Sequence, residues 1–278
     1  MDQDRSDIAI VRQRLRHLCQ DESDIDLAEA GLLLAALWHP GIDLQPYRDH
    51  LGLLAGEVGK FAGGAPSQAL SHVLATTYGY AGDSAHYDDL QNADMVRVID
   101  RRKGLPVAIG ILYLQTARAQ GWTACGLSFP NHFLIRVESG HHRAIIDPFH
   151  AGQVLTPDKL RALRKNVAGE EAELAPDHFD AVADVEILLR LQNNIKSRLL
   201  QKRDGEGALT VLDSMLLVTP NRAELWYETG MINAALEKHG AAIRALERCL
   251  ATDGTVHMAH GARERARETL QRLKQRLN

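Results

Sequence analysis

The sequence predicts an α+β fold, mostly helical, in which a central helix lies against a small antiparallel sheet and a tail of helical hairpins follows. Three observations predict it. Residues 104–121, GLPVAIGILYLQTARAQG, are apolar almost all round. Pro106 suits the first turn of a helix and Gly121 the position just past its end, so this helix is buried in the middle of its domain. After it the period changes to short alternating or β-branched runs, TACGLSF, HFLIRVE and RAIID, which read as strands. Beyond residue 184 helical spacing returns, and Ala208, Leu212 and Pro220 recur thirty-four places later as Ala242, Leu246 and Gly254.

Taken in chain order, Ile8, Val11, Leu15 and Leu18 share one helical face. A second helix starts near Asp26, with Glu29 three places on as a capping-box partner, and stops at Pro40-Gly41. In a third, Tyr47, Leu51, Leu54, Val58 and Phe61 keep the spacing until Gly63-Gly64 breaks it. A fourth follows Pro66 and carries Leu70, Val73 and Leu74. The glycine- and aspartate-rich YGYAGDSAHYDD (78–89) reads as a loop, and a short helix follows over about 93–102. After the central helix, Ser139-Gly140 marks a turn between the last two strands. DPFHAGQVLT leads out as a loop with at most a short edge strand.

The thirty-four-residue period is that of a tetratricopeptide unit. The stretch 223–254 has Trp226 and Gly230 where such a unit takes its bulky residue and its close helix contact; the preceding copy has Gln192 and Lys196. The tail is therefore one fair repeat, one degraded repeat and a terminal helix (255–276), or simply two helical hairpins of similar length. Either way it forms an array suited to binding partners or to buttressing a neighbour. The domains are 1–180, a helical N-terminal region with the core, and 181–278, the helical tail.

Composition narrows the function classes. The 278 residues are 45% hydrophobic and 24% charged, with a formal net charge of −4. Nucleic-acid binding would call for a basic face, and the local cluster Arg101, Arg102, Lys103 reads as a solvated helix end. No apolar stretch reaches membrane-spanning length, and the opening MDQDRSD lacks the basic-then-apolar order of a secretion signal. Three cysteines, at 19, 125 and 249, are scattered without metal-ligand spacing. A reduced cytoplasmic protein without metal or cofactor is expected.

The stretch FPNHFLIRVESGHHRAIIDPF, residues 129–149, sets His132 at the head of one apolar run and Asp147 at the foot of the next. A two-residue Ser139-Gly140 loop would place them directly opposite, with Cβ atoms roughly 4.5–5.5 Å apart. A four-residue loop would pair Glu138 with Arg143 and make His132 and Asp147 diagonal neighbours. A carboxylate beside an imidazole fixes its tautomer and steadies its cationic form, the orienting role in a nucleophile–base–acid triad. The same pair also serves as a plain buried hydrogen bond. His141, His142 and His150, in turns and loops, read as solvated. Cys125 is the cysteine nearest the pair, and packing is the default role of such a residue. Cys19 lies beside the first helical stripe, and Cys249 falls where a repeat takes a small residue.

The succession RRKGLPVAIGILYLQTARAQG, FPNHFLIRV, IIDPFHAGQVLT and LLRLQNNIKSRLL resembles the bacterial invasion-regulator type of transglutaminase-like protein, over roughly residues 27–252. The resemblance implies a transglutaminase-like core followed by tetratricopeptide-like helices. In the wider superfamily a cysteine begins the central helix, and a histidine and an aspartate lie on successive strands; His132 and Asp147 match the last two. The helix start, Leu105-Pro106-Val107-Ala108-Ile109, holds no cysteine, and Ala108 stands where the invasion-regulator type commonly has serine. Asn131 replaces the glycine usual before the histidine. The resemblance thus implies a catalytic frame without its attacking atom: a non-catalytic scaffold or regulator that binds a peptide or protein. The alternative is an amide hydrolase or acyltransferase working through Cys125 or through water activated by His132.

Overall fold

The computed structural model describes residues 2–21, 25–61, 64–169, 171–252 and 261–277. The chain divides into two compact units, residues 1–191 and 192–278.

The first unit opens with α1 (Asp2–Leu18) and α2 (Leu27–Ala36). Asp26 caps α2 by accepting from the backbone N–H groups of Ala28 and Glu29 at 3.1 and 2.9 Å. The reciprocal half of the expected capping box is absent, because the Glu29 carboxylate takes the Arg48 guanidinium in a fork at 2.8 and 2.7 Å. A two-pronged ion pair outweighs a single bond to a backbone amide. Arg48 belongs to α3 (Gln45–Gly59). Of the glycine pair expected to end this helix, Gly63 lies outside the described residues. Next, α4 (Pro66–Leu70) runs directly into a π-helical turn, Ser71–Thr77.

The segment read as a plain loop is more built than its composition suggests. Tyr80 is fully buried, and β1 (Ala81–Gly82) pairs in parallel with β2 (Lys103–Gly104). Between them lies α5 (Met95–Arg101), which ends at Arg102 in the left-handed conformation with φ of 58°. Lys103 is exposed, as a solvated helix end would be, but the two arginines before it are not. Arg101 donates to Asn92 Oδ1 at 3.0 Å and to Asp83 Oδ2 at 2.8 Å. Arg102 donates to the Tyr80 hydroxyl, to His50 Nε2 and to the Ile99 carbonyl. Two buried acceptors, Asn92 and Asp83, need partners, and Arg101 supplies both.

The central helix α6 (Pro106–Arg118) has Pro106 in its first turn, and every residue from Val107 to Leu114 is buried. Arg118 closes its last turn onto the Ala124 carbonyl and, in a fork, onto Asp184 at 2.5 and 2.9 Å. The sheet consists of β3 (Thr123–Leu127), β4 (Ile135–Ser139), β5 (His142–Asp147), β6 (Gln153–Val154) and β7 (Ala181–Val182), all antiparallel, in the order β6-β5-β4-β3-β7. Before β7, α7 (Pro157–Ala168) brings Leu160 to a cluster with Leu127, Phe129, Leu134 and Leu155. Residues 181–191 stay with the first unit for physical reasons: β7 completes the sheet, Asp184 holds Arg118, and fully buried Ile187 packs beside Gly126.

Helix α8 (Asp184–Gln201) contains the boundary at residue 191/192. The second unit continues with α9 (Gly205–Val218), α10 (Ala223–Ala235), α11 (His239–Ala251) and α12 (Ala262–Leu277). Ala208, Leu212, Ala242 and Leu246 are all fully buried, and a Cβ on Gly230 would come within 2.6 Å of the Leu246 side chain. In the degraded copy the two polar substitutes find partners: Gln192 accepts from the Ser214 hydroxyl at 3.2 Å and Lys196 pairs with Glu228 at 2.5 Å. Gly254 and the expected helix start at 255 lie outside the described residues.

Candidate functional site

The observed register pairs Glu138 with Arg143 and continues to Ser139 with His142, leaving Gly140-His141 as a two-residue loop. Gly140 has φ of 57°, suiting the first position of a type II′ turn. The loop is shorter than the four residues that this register first suggests, yet the charge match is as read: Glu138 Oε1 takes Arg143 at 3.4 Å and Arg136 at 2.8 Å. This register makes His132 and Asp147 diagonal rather than opposed.

His132 does not sit within β4. It follows Pro130-Asn131, a turn that precedes the strand. Asn131 has φ of 56°, a left-handed backbone that asparagine tolerates better than most residues. That explains why a glycine position accepts asparagine here. The turn carries His132 Nε2 to 2.9 Å from Asp147 Oδ2, with the histidine side chain 12% exposed and the aspartate 3%.

His150 is exposed, as its place in a loop suggests, but sequence reasoning missed its contact: the Pro148 turn folds it back so that its Nδ1 lies 2.7 Å from the same oxygen, Asp147 Oδ2. Asp147 Oδ1 meanwhile accepts from the backbone N–H groups of Phe149 and His150 at 3.0 and 3.3 Å. The two imidazoles stack with centroids 6.0 Å apart. The available signal was local: Asp-Pro followed by a histidine three places after the aspartate, a turn that returns a side chain to its start. His141 and His142 are exposed, as read.

Asp147 is thus an acceptor for four donors. Burial by itself raises its pKa; the hydrogen bonds and charges of His132 and His150 outweigh burial and hold the carboxyl below its ordinary value. An ionised carboxylate only accepts, so both imidazoles present N–H to it.

The helix α6 reaches this region through two contacts. The Phe133 ring fills the space beside Gly110, where a Cβ would lie 2.3 Å from it. The Tyr113 hydroxyl lies 2.5 Å from the position a Cβ on Gly152 would take, as does Ser71 Oγ. Ser71 donates to the Gly152 carbonyl at 2.6 Å, and Gly152 has φ of 70°. Only glycine fits there, on grounds of both space and backbone. Tyr113 is fully buried, its hydroxyl has no hydrogen-bond partner among the described residues, and burial together with the charge of Asp147 pushes its pKa up.

Ala108 is fully buried and carries only a methyl group. Cys125 is half-buried in β3, registered with Arg136. Burial raises its pKa, and the charges acting on it are those of Arg136, Glu138, Arg118 and Arg143 rather than His132. Cys19 and Cys249 are buried, and Cys249 packs with Ala242, Leu246 and Ala266.

With this geometry in place, comparison with known proteins is informative. Residues 47–193 match the family described as transglutaminase-like superfamily, and residues 195–278 match the tetratricopeptide repeat. A UPF0162 protein of Vibrio cholerae is 30% identical, covering 82% of this chain and 86% of its own. A UPF0162 protein of Xylella fastidiosa is 27% identical, covering 85% and 87%. Protein SirB1 of Salmonella typhimurium is 28% identical over 64% of this chain and 68% of its own. A histidine and an aspartate joined beside a buried helix, a five-stranded antiparallel sheet and a following helical array agree with these matches: the chain belongs to the transglutaminase-like superfamily and carries tetratricopeptide-like helices after its core.

Proposed function

We propose that this protein is a non-catalytic transglutaminase-like scaffold or regulator that binds a peptide or protein partner in the cytoplasm. One observation carries the reading: the pair His132–Asp147 is joined at 2.9 Å, while the start of the central helix, Pro106 to Ala108, where the resemblance places the nucleophile, holds no cysteine, and Ala108 is a buried methyl group. An alanine side chain cannot attack a carbonyl. General-base help to a water molecule, the remaining route to hydrolysis, contributes only about 10²–10⁴-fold by itself.

The tetratricopeptide-like helices support a binding role, since such arrays present extended surfaces to partners. Three free cysteines fit a reducing compartment, and among the described residues no helix is long and apolar enough to cross a membrane. The net charge of −4 favours a protein partner over nucleic acid.

The test uses the full chain. Wild type and His132→Gln are compared for turnover of amide and ester substrates and for partner capture from the native cytoplasm. The reading expects no turnover by either protein and weaker capture by the variant. Turnover that depends on His132 would overturn it and establish an amide hydrolase.

A further inference from the structure

We propose that His132, Asp147 and His150 form a binding site for a divalent transition-metal ion of the zinc class. His132 Nε2 and His150 Nδ1 both lie on Asp147 Oδ2, at 2.9 and 2.7 Å, and the three atoms fall within 4.8 Å of one another. At zinc bond lengths of about 2.0–2.2 Å, tetrahedral ligands stand about 3.3 Å apart. Replacing the two N–H···O bonds by an ion therefore requires each nitrogen–oxygen distance to widen by a few tenths of an ångström, and the two nitrogens, within 4.8 Å of each other, to draw closer by rotation of the exposed His150 ring. Each imidazole moves its proton to the ring nitrogen facing away and turns a lone pair inward. Two imidazoles and one carboxylate suit zinc, cobalt or iron; calcium and magnesium favour oxygen-only shells.

The surroundings support the same assignment. Asp147 Oδ1 is held by the backbone N–H groups of Phe149 and His150, which leaves Oδ2 presented to the two rings. Metal-ligating carboxylates are characteristically fixed in this way. Independently, the Tyr113 hydroxyl is fully buried without a hydrogen-bond partner among the described residues, and it lies against the Gly152 turn just beyond His150. A buried hydroxyl without a partner calls for an unseen water or ion.

The turn is built to keep His150 in place. Ala151 and Gly152 are consecutive left-handed residues, with φ of 55° and 70°, and Ser71 ties the Gly152 carbonyl to the helical region. A histidine on a free loop would have no such restraint.

The experiment titrates chelator-treated full-length protein with zinc chloride by calorimetry and with cobalt(II) by visible absorption. The expected result is one equivalent bound with micromolar or tighter affinity, together with a cobalt spectrum of low coordination number. His150→Ala, at a side chain 57% exposed, leaves the fold intact and weakens binding by about tenfold or more, in the range of losing one ligand's support. His141→Ala, on the exposed hairpin loop, binds as wild type. The proposal is overturned if wild type takes up no stoichiometric zinc, or if His150→Ala and wild type bind equally, which would assign the uptake to others among the thirteen histidines. Asp147→Asn is expected to abolish binding; if it fails to fold, His150→Ala decides. Failure here leaves the partner reading standing, because partner capture is measured without added metal.

Discussion

His132 Nε2 stands 2.9 Å from Asp147 Oδ2, and His150 Nδ1 reaches the same oxygen at 2.7 Å. The pair read from the sequence is thus the inner part of a three-residue cluster centred on one buried carboxylate. Asp147→Asn is expected to cost about 1.5–3 kcal/mol, the usual contribution of hydrogen bonds to a charged group. The pH dependence follows from the depressed carboxyl. The folded protein holds Asp147 ionised below its ordinary 3.8, so its contribution is fully present above about pH 4 and is lost as the pH falls further. Urea titrations at pH 7, 4 and 3 should show the gap between wild type and variant closing toward acid. A constant gap would contradict this.

A second pH effect comes from His50 on α3. Burial, and then the positive charge of Arg102, lower its pKa from 6.5 to about 4. The unfolded chain takes up this proton near pH 6.5, while the folded chain refuses it until about 4. Stability is therefore highest above 6.5 and declines as the pH drops through that window. His50→Gln, which cannot titrate, should be less sensitive to pH between 7 and 4.5 in urea midpoints. Parallel wild-type and variant curves would place the titrating group elsewhere.

How much of this was legible beforehand depends on the range of the interaction. Helix existence and the strand triplet were readable because Pro106, Gly121 and the alternation of Ile135 and Val137 act locally. Glu138 opposite Arg143 was one of two readable registers, and only the assembled hairpin selected it. The pairing of Lys103–Gly104 with Ala81–Gly82 and the docking of Ala181–Val182 on β3 were hidden, since two-residue strands leave no periodic trace. Helix α7 was missed because its few apolar residues are mixed with charges. At the site, His132 and Asp147 stood out from their positions on flanking apolar runs. His150 did not, because a turn rather than a strand brings it home. Tyr113 reads as any core aromatic, since only the folded structure leaves its hydroxyl without a partner among the described residues.

Cys125 should behave as a slow thiol. Burial raises its pKa above the ordinary value, and no activating histidine acts on it, so the thiolate fraction near neutrality is small. Alkylation with iodoacetamide is expected to be negligible at pH 6 and to rise only above about pH 8.5. Labelling at pH 6 that disappears in His132→Ala would show an activated nucleophile instead.

The repeat can be tested at Gly230. Gly→Ala within a helix normally stabilises by about 1 kcal/mol. Here the new methyl would meet the Leu246 side chain at 2.6 Å and its backbone nitrogen at 3.3 Å, an overpacking that costs about 1–3 kcal/mol. Net destabilisation of Gly230→Ala in thermal melts is expected, as is destabilisation of about 1–3 kcal/mol for Ala242→Leu at a fully buried position. A more stable Gly230→Ala would mean that α10 and α11 do not approach closely.

The approach of the His132 turn to α6 rests on Gly110 and Phe133. A Cβ at position 110 would lie 2.3 Å from Cε1 and 2.7 Å from Cδ1 of the Phe133 ring. The ring is fully buried and also fills the space beside Gly126, so it has nowhere to retreat. Gly110→Ala should therefore destabilise by about 1–3 kcal/mol despite alanine's better helix propensity. It should also displace His132, one residue from the ring, and so broaden or shift that residue's imidazole signals in NMR spectra. Phe133→Leu removes the obstructing ring atoms at its own cost of a core cavity. The double variant should then lose less stability than the sum of the two single changes, with a coupling of about 0.5–3 kcal/mol, because residues in direct contact do not act additively. Strict additivity would mean that the ring and the glycine do not meet, and that some other element sets the distance between His132 and the central helix.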